Sequence, residues 1–246
     1  MYNVIGVIPA RYASTRLPYK LTKDILGKPL LQWTWESASR AHSLDKVLVA
    51  CDDSVLKETA ERFGAEAVLT SSDHTSGTDR VAEAVSEIDA KVVINIQADE
   101  PLIHPSVINA LAEEMLADRK LLMGTARKKI VEEEEISNPN VVKVVTDKDG
   151  YALYFSRFPI PYYREETAQK QYYKHLGIYA YTKDFLYEFK NLPPSFLEHA
   201  EKLEQLRALE AGYKIKVIET QIDSWGVDIE EDLRHVEKIL SERGFA

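Results

Sequence analysis

A single cysteine, Cys51, is all the thiol chemistry the chain carries. That excludes a disulfide framework and a cysteine-built zinc cluster. Cys51 ends the apolar run from Val47 to Ala50 and reads as a strand-end residue without a chemical role. No run approaches the ~20 apolar residues of a membrane-spanning helix. The first residues carry no basic leader and no long apolar one. Membrane insertion is therefore not expected, and the cytoplasm is the expected location. Positive charge is in deficit as well: 31 Lys and Arg stand against 40 Asp and Glu, a net charge of −9. Such a chain repels a phosphate backbone, so generic nucleic-acid binding is not expected and any phosphate ligand needs a local basic site. The Walker A pattern and the dinucleotide-binding Gly-x-Gly-x-x-Gly pattern are both missing. So are internal repeats, long linkers and low-complexity segments.

What remains is an ordinary globular composition, with 45% hydrophobic and 29% charged residues in 246 positions. That length suits one α/β domain, or one with a small lobe. Short β-branched runs over 4–8, 46–50, 66–69 and 91–97 predict buried strands. Between and after them, helical patterns cover 29–41, 54–63, 78–88 and 105–117, with Pro29 placed as a first helical residue and Gly64 as a stop. This alternation predicts a mostly parallel, doubly wound sheet. The second half is less regular. Strands are predicted over 122–126, 141–146, 151–155, 172–181 and 214–218, and helices over 198–210 and 230–242. A turn at 147–150 makes a hairpin of the second and third of these strands. The span 141–182, with a polar loop around 165–170, is expected to form a small β-rich lobe suited to an oligomer interface. The acidic run 132–135 reads as a solvated face.

In doubly wound sheets ligands bind beyond the carboxyl ends of strands, where the strand order reverses. For a 3-2-1-4 order, two segments flank that point. The first is the loop after strand one, with Arg11, Arg16 and Lys20 and with Ser14 and Thr15 between them. Three cations within ten residues of an acidic chain make a polyphosphate cradle, or else a solvated basic loop. The second segment ends strand four with Asp99 and Glu100, placed either for Mg²⁺ beside phosphate oxygens or for a turn. Asp228 is a further carboxylate, and its setting at a helix start equally suits capping.

Together these segments resemble the 3-deoxy-manno-octulosonate (Kdo) cytidylyltransferases, also called CMP-Kdo synthetases. The matching motifs are IPARYASTRLP at 8–18, GKPL at 27–30, SGTDR at 76–80, NIQ at 95–97 with DEP at 99–101, GYALYFSR at 150–157 with Ile160-Pro161, HLGIY at 175–179, LEQLR at 203–207 and GVD at 226–228. The first is shared with related sugar-acid cytidylyltransferases, whereas ALYFSR and LEQLR are more specific. The resemblance implies a nucleotide-diphospho-sugar transferase (Rossmann-like) fold, a homodimer, and conversion of CTP and Kdo to CMP-Kdo and pyrophosphate for lipopolysaccharide assembly. It implies that Arg11, Ser14, Arg16 and Lys20 bind the CTP phosphates. Ser76, Arg80 and Gln97 would hold cytidine, and Asp99 and Asp228 would carry Mg²⁺. Arg157, His175, Tyr179, Glu204 and Gln205 would line the sugar pocket. Read without the resemblance, His175 is a structural strand residue and Arg157 a surface ion-pair partner.

Two segments depart from the family pattern, 18–22 and 97–101. Tyr19 stands where Pro-Gly-Lys-Pro-Leu is usual, and Ala98 where Gln-Gly-Asp-Glu-Pro is usual. If position 98 needed positive φ, alanine there would cost about 1–2 kcal/mol. The alternatives are an enzyme for a related acid, such as an 8-amino Kdo analogue or a sialic-acid-like sugar, or a nucleotide-binding homologue without catalysis.

Overall fold

The computed structural model describes residues 1–165 and 169–244, so residues 166–168 of the expected polar loop lie outside it. In chain order its elements are β1 (Tyr2–Ala10), β2 (Asp24–Ile25), β3 (Lys28–Pro29), α1 (Leu30–Ser39), β4 (Lys46–Cys51), α2 (Ser54–Arg62), β5 (Glu66–Leu69), α3 (Gly77–Ala84), β6 (Ala90–Asn95) and α4 (Pro105–Ala117). Then come β7 (Met123–Lys129), α5 (Glu133–Ser137), β8 (Lys143–Thr146), β9 (Ala152–Ser156), β10 (Tyr173–Thr182), α6 (Lys183–Asn191), α7 (Phe196–Glu201), α8 (Leu206–Glu210), β11 (Ile215–Thr220) and α9 (Glu230–Glu242).

One sheet dominates, in the order β11-β7-β10-β6-β1-β4-β5, with β8 attached to β10 and β9 to β8. Within it β1, β4, β5 and β6 are parallel, as their unbroken apolar runs require. β1 lies between β4 and β6, with Ile8 beside Val49 and Val7 beside Asn95. The expected reversal of strand order therefore falls beyond the carboxyl ends of β1 and β6. Alternate residues of β1 face opposite layers. Val4 and Ile8 pack with residues of α1, α4 and α9, including Leu30, Leu111 and Val236. Ile5 and Val7 pack with residues of α3 and α6, including Val81 and Phe185.

The second half differs from expectation in instructive ways. β10 runs antiparallel between β6 and β7 and so belongs to the main sheet. Of the span expected to form a lobe, the β8–β9 hairpin is what stands off the main path. The helix expected over 198–210 is two helices. Lys202 adopts the left-handed region at φ 54° and ends α7, and α8 begins only at Leu206. Helix α6 escaped the sequence reading, although Thr182 caps it and Phe185, Leu186 and Phe189 recur at helical spacing. Pro29 is not the first helical residue but the extended cap before α1, paired with Asp24. Glu135 in the acidic run is not merely solvated, because it meets the buried Lys174 at 2.5 Å.

Candidate active site

The loop after β1 turns back on itself and returns through Lys20, whose amine becomes a junction. Lys20 Nζ donates to Asp99 Oδ2 at 2.5 Å, to the Val227 carbonyl at 2.8 Å and to Asp228 Oδ1 at 3.0 Å. Arg16 reaches the other oxygen of Asp228 at 3.1 Å. Burial works against the Lys20 ammonium, but Asp99 and Asp228 outweigh it and hold its pKa above the ordinary lysine value. The segment carrying Asp228 is pinned to the one carrying Asp99 by the Val227 amide, which donates to the Asp99 carbonyl at 2.8 Å. Sequence spacing left open whether the two aspartates meet, and the fold brings both onto one amine. The capping alternative for Asp228 fails. Asp232 accepts from the backbone amides of Asp228 and Ile229, at 2.8 and 3.0 Å, leaving the Asp228 carboxylate facing the cations.

These groups border a cavity of about 410 Å³ whose lining includes Arg11, Ser14, Thr15, Arg16, Lys20, Gly77, Gln97, Asp99 and Asp228. The set expected to bind phosphate thus shares one wall with the two aspartates expected to carry metal. Two carboxylates drawn around a cation, open on one side to phosphate oxygens, form the donor set Mg²⁺ takes. Among the described residues no group of three or more His, Cys, Asp or Glu side chains gathers as a metal cage. Substrate oxygens would therefore have to complete the coordination.

The supports of this wall were not legible in the sequence. Thr34 of α1 donates to the Ala98 carbonyl at 3.0 Å, and Ser37 donates to the Ile103 carbonyl at 2.5 Å. Helix α1 thereby clamps the segment that carries Asp99. Ala98 is not among the residues with positive φ, so alanine there is free of the strain considered above. Tyr19 is among them, at φ 56°. Glu100 turns away from the cations, accepts from Ser224 at 2.7 Å, and is pushed up to about 7 by burial despite that bond. A side chain at Gly177 would press on it, since a Cβ there would lie 2.8 Å from Glu100 Oε1.

Arg80 and Ser76, expected at cytidine, are engaged with protein. The buried Arg80 guanidinium donates to Thr70 Oγ1 at 2.6 Å and to the Ser71 carbonyl at 3.2 Å, and lies 3.6 Å from Asp52. Asp52 in turn accepts from the Tyr12 amide at 2.8 Å, so Arg80 braces the start of the loop that carries Arg16 and Lys20. Asp52 follows β4 as Asp99 follows β6, and the same strand-end rule could have found it. Ser76 caps α3 through the Asp79 amide at 3.1 Å. It also borders a second cavity, of about 340 Å³, shared with Glu204 and Arg207.

Four of the five expected sugar-side residues fall into two pairs. Glu204 accepts from Thr78 at 2.6 Å; burial raises its pKa, with Thr78 and Arg207 opposing. Gln205 is buried, and its amide nitrogen has no hydrogen-bond partner among the described residues. Both sit in the break between α7 and α8. His175 and Tyr179 lie on one face of β10 with ring centroids 5.3 Å apart. His175 Nε2 meets Thr125 Oγ1 at 2.9 Å, and burial pushes its pKa down to about 3, so it is neutral. Arg157 is differently occupied. It donates to the backbone carbonyls of Glu201 at 2.6 Å and Pro139 at 2.8 Å, joining the end of β9 to α7. Its guanidinium is thus engaged with backbone carbonyls rather than with a carboxylate side chain.

Comparison with known proteins agrees with this geometry. A family described as cytidylyltransferase matches residues 5–216. A 3-deoxy-manno-octulosonate cytidylyltransferase of Solibacter usitatus is 48% identical over 97% of this chain and 94% of its own length. One of Chloroherpeton thalassium is 50% identical over 98% and 99%. A solved CMP:2-keto-3-deoxy-manno-octonic acid synthetase complexed with CTP is 40% identical, superposes with a TM-score of 0.93, and is matched over 98% of this chain and 99% of that one. With a cation-bearing loop, an aspartate pair and near full-length likeness in agreement, the chain belongs to the cytidylyltransferase family and, within it, to the 3-deoxy-manno-octulosonate cytidylyltransferases.

Proposed function

We propose that the chain transfers the cytidylyl group of CTP to the anomeric hydroxyl of 3-deoxy-manno-octulosonate, with Mg²⁺ as cofactor. The observation that carries this reading is the Lys20 ammonium held between Asp99 and Asp228 on the wall of the cavity that Arg11, Ser14 and Arg16 share. The sugar hydroxyl oxygen forms a bond to the α-phosphorus in line, the bond from that phosphorus to the bridging oxygen breaks, and pyrophosphate leaves with its electron pair. The hydroxyl proton passes to solvent. Such transfers need positioning and charge neutralisation more than covalent help from the protein. Arg11, Arg16 and Lys20 hold the triphosphate and stabilise the departing pyrophosphate. Asp99 and Asp228 would hold Mg²⁺, which neutralises phosphate charge and makes the sugar hydroxyl more acidic. Gln97 and the Ser76–Arg80 segment order the nucleoside side. The buried, unpartnered Gln205 amide and the neutral His175 suit a polyhydroxylated sugar, which supplies acceptors and donors alike.

The same reading places the enzyme in the cytoplasm as a homodimer supplying lipopolysaccharide assembly. Among the described residues no helix is long and apolar enough to cross a membrane. Association of two copies is supported by the exposed Leu153, Phe158 and Tyr162, which lie on or just beyond the hairpin's outer strand β9. The test is pyrophosphate release with CTP, Mg²⁺ and Kdo, against omission of each and replacement of CTP by ATP, GTP or UTP. Release that requires all three components is expected. Equal turnover of an 8-amino analogue would overturn the choice of sugar, and no release from folded protein that still binds CTP would overturn the reaction.

A further inference from the structure

Tyr12 and Tyr19 stand at the two ends of the loop that carries Ser14 and Arg16 to the cavity. Tyr12 is fixed. Its amide is bonded to Asp52 and its ring packs on the core. Tyr19 is 52% exposed, yet it takes the left-handed conformation, φ 56° and ψ 31°, which L-residues with a Cβ avoid. What it gains there is visible. Its ring lies 4.7 Å from that of Tyr12, tilted by 39°. Its carbonyl accepts from both the amide and the hydroxyl of Thr22, at 3.0 and 2.9 Å. The next residue is Lys20. Glycine, usual at this position in the resembled family, would take the same backbone without strain but would remove the Tyr19 ring from beside that of Tyr12.

We propose that the Tyr12–Tyr19 ring pair is a clasp on the neck of this loop, and that Tyr19 is a positioning residue that presets the loop for CTP. Closing the neck removes conformational freedom from the loop before the nucleotide arrives, so less is lost on binding. Because the triphosphate is gripped in both ground and transition states, the benefit falls on CTP affinity and KM and leaves kcat largely alone. The proposal rests on the reading of CTP as the ligand.

Calorimetric titration of CTP, with steady-state kinetics beside it, tests the clasp on Y19F, Y19G, Y12L and the Y12L/Y19G double variant. Y19F keeps the ring and should bind as the wild type does. Y19G removes the ring but keeps the backbone, and like Y12L should weaken CTP binding ~3- to 10-fold, the range that loss of an aromatic pair gives. kcat should stay within ~2-fold and KM for the sugar acid should not move. The double variant should be no weaker than either single one, because both remove one contact. Wild-type affinity in Y19G, or losses that simply add in the double variant, would overturn the clasp while leaving the CTP reading intact. A folded wild type that does not bind CTP would overturn both.

Discussion

Lys20 occupies the place where two carboxylates converge, which makes Asp99 and Asp228 mutually dependent. Asp99→Asn or Asp228→Asn should reduce turnover by several powers of ten with the far-UV dichroism unchanged, since the amide keeps the shape and loses the charge. Near-normal turnover in either variant would remove that residue from the metal pair. At this scale the sequence was partly readable. Asp99 was legible because it follows a buried strand opposite a cation-rich loop; alone, a turn aspartate would have read as well. Arg11, Arg16 and Lys20 were legible because cations cluster there in an acidic chain. Asp228 was ambiguous, since helix starts attract carboxylates anyway; only the Asp232 bonds to the backbone free it for another task. The bracing role of Arg80 was not legible at all, because its burial and the Asp52 contact depend on α3 packing beside the end of β4.

At the scale of elements, the site hangs on α1. Thr34 is fully buried and holds the Ala98 carbonyl, one residue before Asp99. Thr34→Val preserves volume and orphans that carbonyl. It should lower stability by about 1–3 kcal/mol, read as a lower denaturant midpoint at unchanged slope, and should lower turnover. An unmoved midpoint would show that the clamp carries no energy. The parallel half of the sheet was readable because each strand is a short apolar run followed by an amphipathic helix. The antiparallel half was not, because strand partners far apart in the chain leave no local mark. β10 alternates as any half-buried strand does, and nothing in its residues announces that it will sit between β6 and β7. The break that presents Glu204 and Gln205 was hidden for a similar reason. Lys202 is a good helix former by propensity, yet at φ 54° it is the left-handed cap of α7, with its own amide and that of Leu203 donating to the Glu198 carbonyl.

For the molecule as a whole, His175 sets part of the acid limit. Its folded pKa lies near 3, below the ordinary histidine value of ~6.5. Between those values the unfolded chain binds more protons than the folded one, so stability rises with pH across that window and is lost as pH falls through it. Thermal midpoints measured from pH 7 down to pH 4 should therefore fall more steeply for the wild type than for His175→Gln, which can still bond Thr125 but does not titrate. Parallel curves would show that the histidine is not held neutral by the fold. The sheet order has one more consequence, which belongs to synthesis. The chain emerges with β1, β4, β5 and β6 able to pair at once, but the outer edge of β6 waits for β10, which the ribosome delivers much later. Throughout that interval the nascent sheet presents a bare, strongly apolar strand to its surroundings. A protein that is well behaved once complete is therefore at its stickiest midway through its own translation.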